Sequence, residues 1–387
     1  MKHFEHMTEQ AMNKAFLVEP SPFDKWSNKS MLAMSLGATM YTPGTSTKIA
    51  QNLIERKFTS LTTNVLCLED SISDNEVEKA EANLFKQLEL LSEALKEGLV
   101  LPRNLPLIFI RIRSLEQLER ILKRPELLTY IVGFNVPKFS SVNGEAYLST
   151  VQKANNELKE RFYVMPILES EEIIYLEHRF NELLKLKRLL DSYKDLILNI
   201  RIGGTDFSSL YGIRRGVDFN IYNIFVIAQT ISDIVNVFGR AEQSYTISGV
   251  VWEYFPDSNR MLKPQLRYTN FYRQKGKKGL RQREEIISKE IDGLVKEIIL
   301  DKANNLVGKT VIHPTHIRFV NGLQSVTYEE YKDAISILEA NGQGVIKGEN
   351  GNKMNEIKPH YNWAKKTIEK SKVYGVLNKH ADYIQLF

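Results

Sequence analysis

The sequence predicts an α/β fold: a closed TIM (β/α)8 barrel with an N-terminal arm and a C-terminal helical extension. Three observations predict it. Short apolar runs of strand length alternate with long helical patterns, the signature of a parallel sheet. Eight such units fit in 387 residues, which favours a closed barrel over an open sheet. Six of the runs stop at a polar or charged residue. Asn64–Leu68 meets Glu69 and Asp70, Leu107–Ile110 meets Arg111, and Ile131–Pro137 meets Lys138. Tyr163–Leu168 meets Glu169, Leu198–Ile202 passes two glycines to Asp206, and Thr310–Ile312 meets His313. The C-terminal edge of barrel strands is where active sites are built.

In chain order, residues 1–36 read as an arm with a helix over Glu9–Val18 and a turn at Pro20 and Pro22. The barrel with its basic insertion at about 256–283 spans 37–322, and 323–387 is the helical extension. Its first strand, Ala38–Thr42, ends in Pro43-Gly44-Thr45-Ser46-Thr47, which carries Ser/Thr capping chemistry for a helix. The second, Asn64–Leu68, precedes a helical pattern from Asn75 to Glu97. The third ends at Arg111, with Ser114 and Gln117 placed to cap the next helix. The fourth covers Ile131–Val136, and the fifth, Tyr163–Leu168, precedes a charged helix over Glu171–Leu190. The sixth covers Leu198–Ile202 and is followed by an apolar helix over Tyr222–Phe238. The seventh runs from Tyr245 to Trp252 through Gly249, and a helix over Arg283–Ala303 leads to the eighth, Thr310–Ile312. Two or three further helices and a loop at Gly342–Gly351 fill the extension.

Composition bounds the function. Hydrophobic residues make up 43% and charged residues 26%, ordinary for a globular chain that buries its core without disulfides. Cys67 is the only cysteine and lies in an apolar strand, so it reads as a buried inert thiol in a reducing cytoplasm. No stretch is long and apolar enough to span a bilayer, and MKHFEHMTEQAMNKAF lacks the apolar core of a secretory signal. The net charge of +5 is too mild to predict a nucleic-acid partner. Its distribution is uneven: Arg260–Arg283 holds nine Lys or Arg and no acid, interleaved with Tyr268, Phe271 and Tyr272. That run is either a solvated loop or a flap over an anionic, phosphate-bearing substrate.

Glu169 and Asp206 end consecutive strands, so a barrel sets them side by side. Two carboxylates with open positions suit Mg²⁺, and no Cys/His spacing suggests zinc. The plain alternative is two surface charges near loops. Arg111 is placed to grip a substrate carboxylate and stabilise an enolate, or to pair with Glu69 or Asp70. Arg113 faces the same side of an extended strand and competes for that role, while Ile112 should be buried. Glu69 and Asp70 orient water on the metal or accept hydrogen bonds at the mouth. Lys138 is a candidate for binding a carboxylate or phosphate, with a Schiff-base role weakly supported. Gly204 and Thr205 complete the candidate substrate-binding set. His313 reads as a structural histidine. Neither GxGxxG nor a P-loop is present.

The order and wording of these segments resemble the HpcH/HpaI aldolase and citrate lyase beta-subunit superfamily over about residues 36–375. The resemblance rests on Tyr41-Thr-Pro-Gly44, Leu68-Glu-Asp-Ser71, Ile110-Arg-Ile112, Val136-Pro-Lys138, Pro166-Ile-Leu-Glu169, Gly203-Gly-Thr-Asp206 and Ile312-His-Pro314. Ala334-Ile-Ser-Ile-Leu-Glu-Ala340, Gly344, Lys347 and Met354 extend it into the tail. Val251-Trp-Glu-Tyr-Phe255, the long arm and the basic insertion look most like a divergent, tellurium-resistance-associated branch of citrate-lyase-like carbon–carbon bond lyases. The resemblance implies a TIM-barrel lyase with Mg²⁺ on Glu169 and Asp206, Arg111 beside the enolate, and a homo-trimer or homo-hexamer. Thr205 stands where an acid is common, Ser248 where an Asp is common, and Asn83 where an Arg is common, and these departures weaken the case for a CoA thioester. The expected substrate is a small anionic keto acid or related carboxylate, with phosphorylated and CoA-thioester forms both open. The alternative is a non-catalytic barrel that binds a phosphorylated ligand; nucleic-acid binding through 260–283 ranks last.

Overall fold

The structure is a computed structural model and describes residues 1–256, 289–340, 344–351 and 353–387. The basic run Arg260–Arg283, with Lys275, Lys277 and Lys278, lies outside the described residues, as do Gly342 and the start of the helix expected from Arg283.

Seven parallel strands form the curved sheet. In chain order they are β2 (Ala38–Pro43), β3 (Thr63–Cys67), β4 (Leu107–Arg111), β5 (Ile131–Val136), β6 (Tyr163–Leu168), β7 (Arg201–Ile202) and β8 (Lys309–Val311); β1 (Phe16–Val18) lies outside this sheet. Their spatial order is β7-β6-β5-β4-β3-β2-β8. The eighth position is held by Tyr245–Trp252, which is not a regular strand as the sequence suggests. It makes isolated parallel bridges, Ile247 to Ile200 on one side and Gly249 to Lys309 on the other. The reason lies in its carbonyls. Val250 O accepts from Lys309 Nζ at 2.6 Å and Val251 O from Arg215 Nη2 at 2.7 Å, so side chains take positions a ladder would use. The bridges still close the ring.

Alternation along the strands divides two apolar regions. Leu66, Ile108, Ile110, Phe134, Val164 and Ile202 pack outward against the helices in the largest core cluster. Val65, Phe109, Met165 and Leu198 pack together with Phe23, Leu32 and Leu36, so the arm plugs the end of the barrel where the strands begin. Chemistry is left to the other end.

Several boundaries differ from expectation. The arm helix stops at Ala15, because Phe16–Val18 is drawn into antiparallel pairing with β11 (Val376–Leu377). The helix expected over Glu171–Leu190 breaks into Glu171–Ile174 and Leu176–Ser192. The apolar helix begins at Phe225, after a 3₁₀ turn over Ile221–Asn223. The expected Gly342–Gly351 loop contributes β9 (Val345–Lys347), which pairs with β10 (Met354–Glu356) around Gly351, whose φ of +67° favours glycine. The extension also carries Tyr328–Glu339, opened by a Thr327/Glu330 capping box, and Ile357–Tyr374. No helix among the described residues is long and apolar enough to cross a membrane.

Candidate active site

The C-terminal strand ends gather one cluster of opposite charges. Arg111 ends β4 and is 7% exposed. Its Nη2 lies 2.5 Å from Glu69 Oε2, 2.9 Å from Asp70 Oδ2 and 3.4 Å from Glu169 Oε1. Arg113 turns away, donating to Leu68 O, Glu69 O and Ile72 O and pairing with Asp74 at 2.6 Å. Ile112 between them is fully buried in the outer core. Lys138 follows β5 with a φ of +46°, a costly conformation for a lysine. That twist aims its backbone N–H at Glu169 Oε1, 2.9 Å away, while its Nζ reaches Glu69 Oε1 at 3.0 Å.

Glu169 follows β6 and is 4% exposed. Gly203 makes its position possible: a Cβ there would lie 2.2 Å from Glu169 Oε2. Asp206 is not at a strand end. β7 stops at Ile202, and Asp206 sits in the first turn of the helix Gly204–Leu210. Gly204 is buried against Val250, so its part is to give room. Thr205 is exposed and donates to Glu253 Oε1 at 3.0 Å.

The electrostatics are unbalanced. Four carboxylates, Glu69, Asp70, Glu169 and Asp206, face Arg111 and Lys138, with Arg201 deeper in the same cavity. Burial pushes Glu169 up to about 8, against the pull of Arg111 and with the help of Asp206. Burial and the charge of Asp70 also raise Asp206. Asp70, although partly buried, is held below the usual carboxylate range by Arg111. A divalent cation would add positive charge here. Among the described residues no three His, Cys, Asp or Glu converge as a closed metal cage. Glu169 and Asp206 offer only oxygen donors, the chemistry that suits Mg²⁺ with positions left for ligand.

A cavity of about 490 Å³ opens here, a usual size for a small-molecule site. Asp70, Arg111, Glu169, Gly204, Thr205 and Asp206 line it; Glu69 and Lys138 act on it through their ion pairs. His313 is set apart from that lining, bonded to Thr315 and stacked on Phe255. Cys67 is a buried free thiol. Asn83 donates to Gly44 O and Ser46 O and holds the turn after β2. Two residues at the cavity were not singled out from the sequence, Tyr41 for chemistry and Arg201 at all.

The model of a C–C bond lyase of the TIM-barrel fold matches residues 30–376. The chain belongs to this carbon–carbon bond lyase family. No curated protein matches the sequence of this lyase. Among solved structures, CitE from Mycobacterium tuberculosis, in complex with magnesium, acetoacetate and coenzyme A, is 15% identical; the match covers 88% of the lyase and 99% of CitE, with a TM-score of 0.50. The M. tuberculosis citrate lyase beta subunit, complexed with oxaloacetate and magnesium, is 15% identical over 75% of the lyase and 96% of that chain, TM-score 0.41. Haloferax volcanii malate synthase, crystallised at 3 mM glyoxylate, is 12% identical over 73% of the lyase and 72% of that chain, TM-score 0.48. The likeness to CitE is one of fold.

The packing of Gly203 gives a direct expectation. Gly203→Ala should push Glu169 aside, weaken Mg²⁺ binding by about 10–100-fold and lower stability by about 1–3 kcal/mol. Calorimetric Mg²⁺ titration and urea unfolding read both; unchanged metal affinity would contradict the geometry.

Proposed function

We propose that this lyase cleaves or forms a carbon–carbon bond in a keto acid or related carboxylate through an enolate. The observation that carries this reading is the pair of buried Glu169 and half-buried Asp206, in a cluster with more carboxylates than cations, beside Arg111 at the open end of the barrel. Glu169 and Asp206 would hold Mg²⁺, which when bound supplies Lewis-acid polarisation of a carbonyl oxygen. Arg111 offers the enolate a fixed positive charge. Its Nε is buried without a partner, which leaves a donor for a substrate oxygen. Glu69 and Asp70 hold the guanidinium in place, so little reorganisation accompanies charge development. Lys138 fixes one oxygen of Glu169 and leaves the other facing Gly203 and the cavity. The magnesium and acetoacetate bound by CitE support this choice of ion and ligand class.

The test is a calorimetric Mg²⁺ titration of wild type and Asp206→Ala, with pyruvate release followed from oxaloacetate and 4-hydroxy-2-keto acids. Asp206→Ala should weaken Mg²⁺ by about 100-fold or more and abolish Mg²⁺-dependent cleavage. Equal Mg²⁺ affinity in the two proteins would sink the assignment.

A further inference from the structure

Arg201 lies on β7 with its side chain inside the barrel, only 1% exposed. It lines the same cavity as Arg111, Glu169 and Asp206. Its neighbours are hydroxyls. Nη2 donates to Thr310 Oγ1 at 2.5 Å, and Nη1 makes long contacts to Thr39 Oγ1 at 3.4 Å and Ser248 Oγ at 3.5 Å. Its Nε has no partner.

Among the described residues, the other buried cations all have an acid. Lys25 has Glu160, Arg111 its three carboxylates, Arg179 Asp233, Arg215 Glu297, and Lys309 both Glu297 and Asp301. Among the described residues Arg201 has none within ion-pair distance. A buried charge held only by neutral hydroxyls is costly, so such a group ordinarily has a counter-ion. This one faces a cavity where a ligand can bring the anion.

We propose that Arg201 is a substrate-recognition residue that binds a second carboxylate of the substrate from the floor of the cavity. The proposal rests on the lyase reading above and adds to it a requirement for a ligand with two acidic groups. The planar guanidinium fork matches a carboxylate, and its free Nε–H is available to one. Thr310, having accepted from Arg201, keeps its own proton to donate. Tyr41 is in the same position: its hydroxyl accepts from Asn135 Nδ2 at 2.7 Å. Arg111 Cζ lies 5.8 Å and Arg201 Cζ 5.9 Å from the centroid of the Tyr41 ring, so both arginines neighbour the same ring. Burial also pulls Arg201 below its ordinary range, as expected of a cation awaiting an anion.

The test compares acids matched in length. With Mg²⁺ present, calorimetry measures oxaloacetate against 2-oxobutyrate, and 2-oxoglutarate against 2-oxopentanoate. Wild type should bind at least one two-carboxylate member about 30-fold more tightly than its one-carboxylate match. Arg201→Met should erase that ratio, leave the one-carboxylate acids and Mg²⁺ unaffected, and leave the melting temperature unchanged or higher, since an unpaired buried charge is removed. Arg201→Lys keeps the charge without the fork; it should lose most of the ratio and serves as the test if the methionine variant does not fold. A ratio near one for both pairs in wild type, or an unchanged ratio in these variants, overturns the proposal while leaving the lyase reading standing. Failure of wild type to bind Mg²⁺ and every acid overturns both.

Discussion

Arg111→Lys is expected to lower turnover by about 10²–10³-fold while the protein stays folded. The lysine keeps one positive charge near Glu69, Asp70 and Glu169, so the cluster retains part of its balance. It loses the planar guanidinium, whose Nη2 meets three carboxylates while its Nε–H stays unpartnered among the described residues. Arg113→Lys is the control. Arg113 is occupied by Leu68 O, Glu69 O, Ile72 O and Asp74, so its replacement should alter stability slightly and turnover little. Steady-state rates with oxaloacetate, read beside melting curves, distinguish the two. Survival of turnover in Arg111→Lys with failure in Arg113→Lys would exchange their roles.

Lys309→Met is expected to cost about 3–5 kcal/mol of stability. Lys309 Nζ donates to Val250 O at 2.6 Å and pairs with Glu297 at 2.9 Å and Asp301 at 2.7 Å, all of it buried. Its loss leaves Asp301 with the Tyr222 hydroxyl but no cation among the described residues, and Glu297 with Arg215 and the Ile221 N–H. It also frees the carbonyl that anchors Tyr245–Trp252, the irregular segment that closes the ring and backs Gly204 through Val250. Urea unfolding measures the loss, with the exposed Lys153–Glu157 pair as reference, where Lys153→Ala should cost less than about 1 kcal/mol. Equal effects at the two lysines would contradict a cooperative buried cluster.

Much of the fold was legible because its signals are local. Most of the apolar runs and the helical patterns between them appear in the structure, with ends shifted by tertiary pairing as at Phe16–Val18 and with Leu198–Ile202 shortened to Arg201–Ile202. The Tyr245–Trp252 segment reads as a strand because its residues suit one; only the donors Lys309 and Arg215, far away in sequence, divert its carbonyls. Asp206 was placed one element early, since two glycines after an apolar run do not say where a helix begins.

By itself the sequence determined the barrel, the end that carries the polar residues, and the group Glu69, Asp70, Arg111, Lys138, Glu169 and Asp206. Each of these follows an apolar run, and where such a run stops is written in the neighbouring residues. Only the tertiary structure decided that the arm plugs the opposite end and that Gly203 exists to admit Glu169. It alone revealed that Arg201, within Leu198–Ile202, faces the cavity with no counter-ion among the described residues. Alternation says that successive residues of a strand face opposite ways. Which of them faces the barrel axis depends on closure of the ring, and whether a charge finds a partner depends on residues brought there from the far ends of the chain.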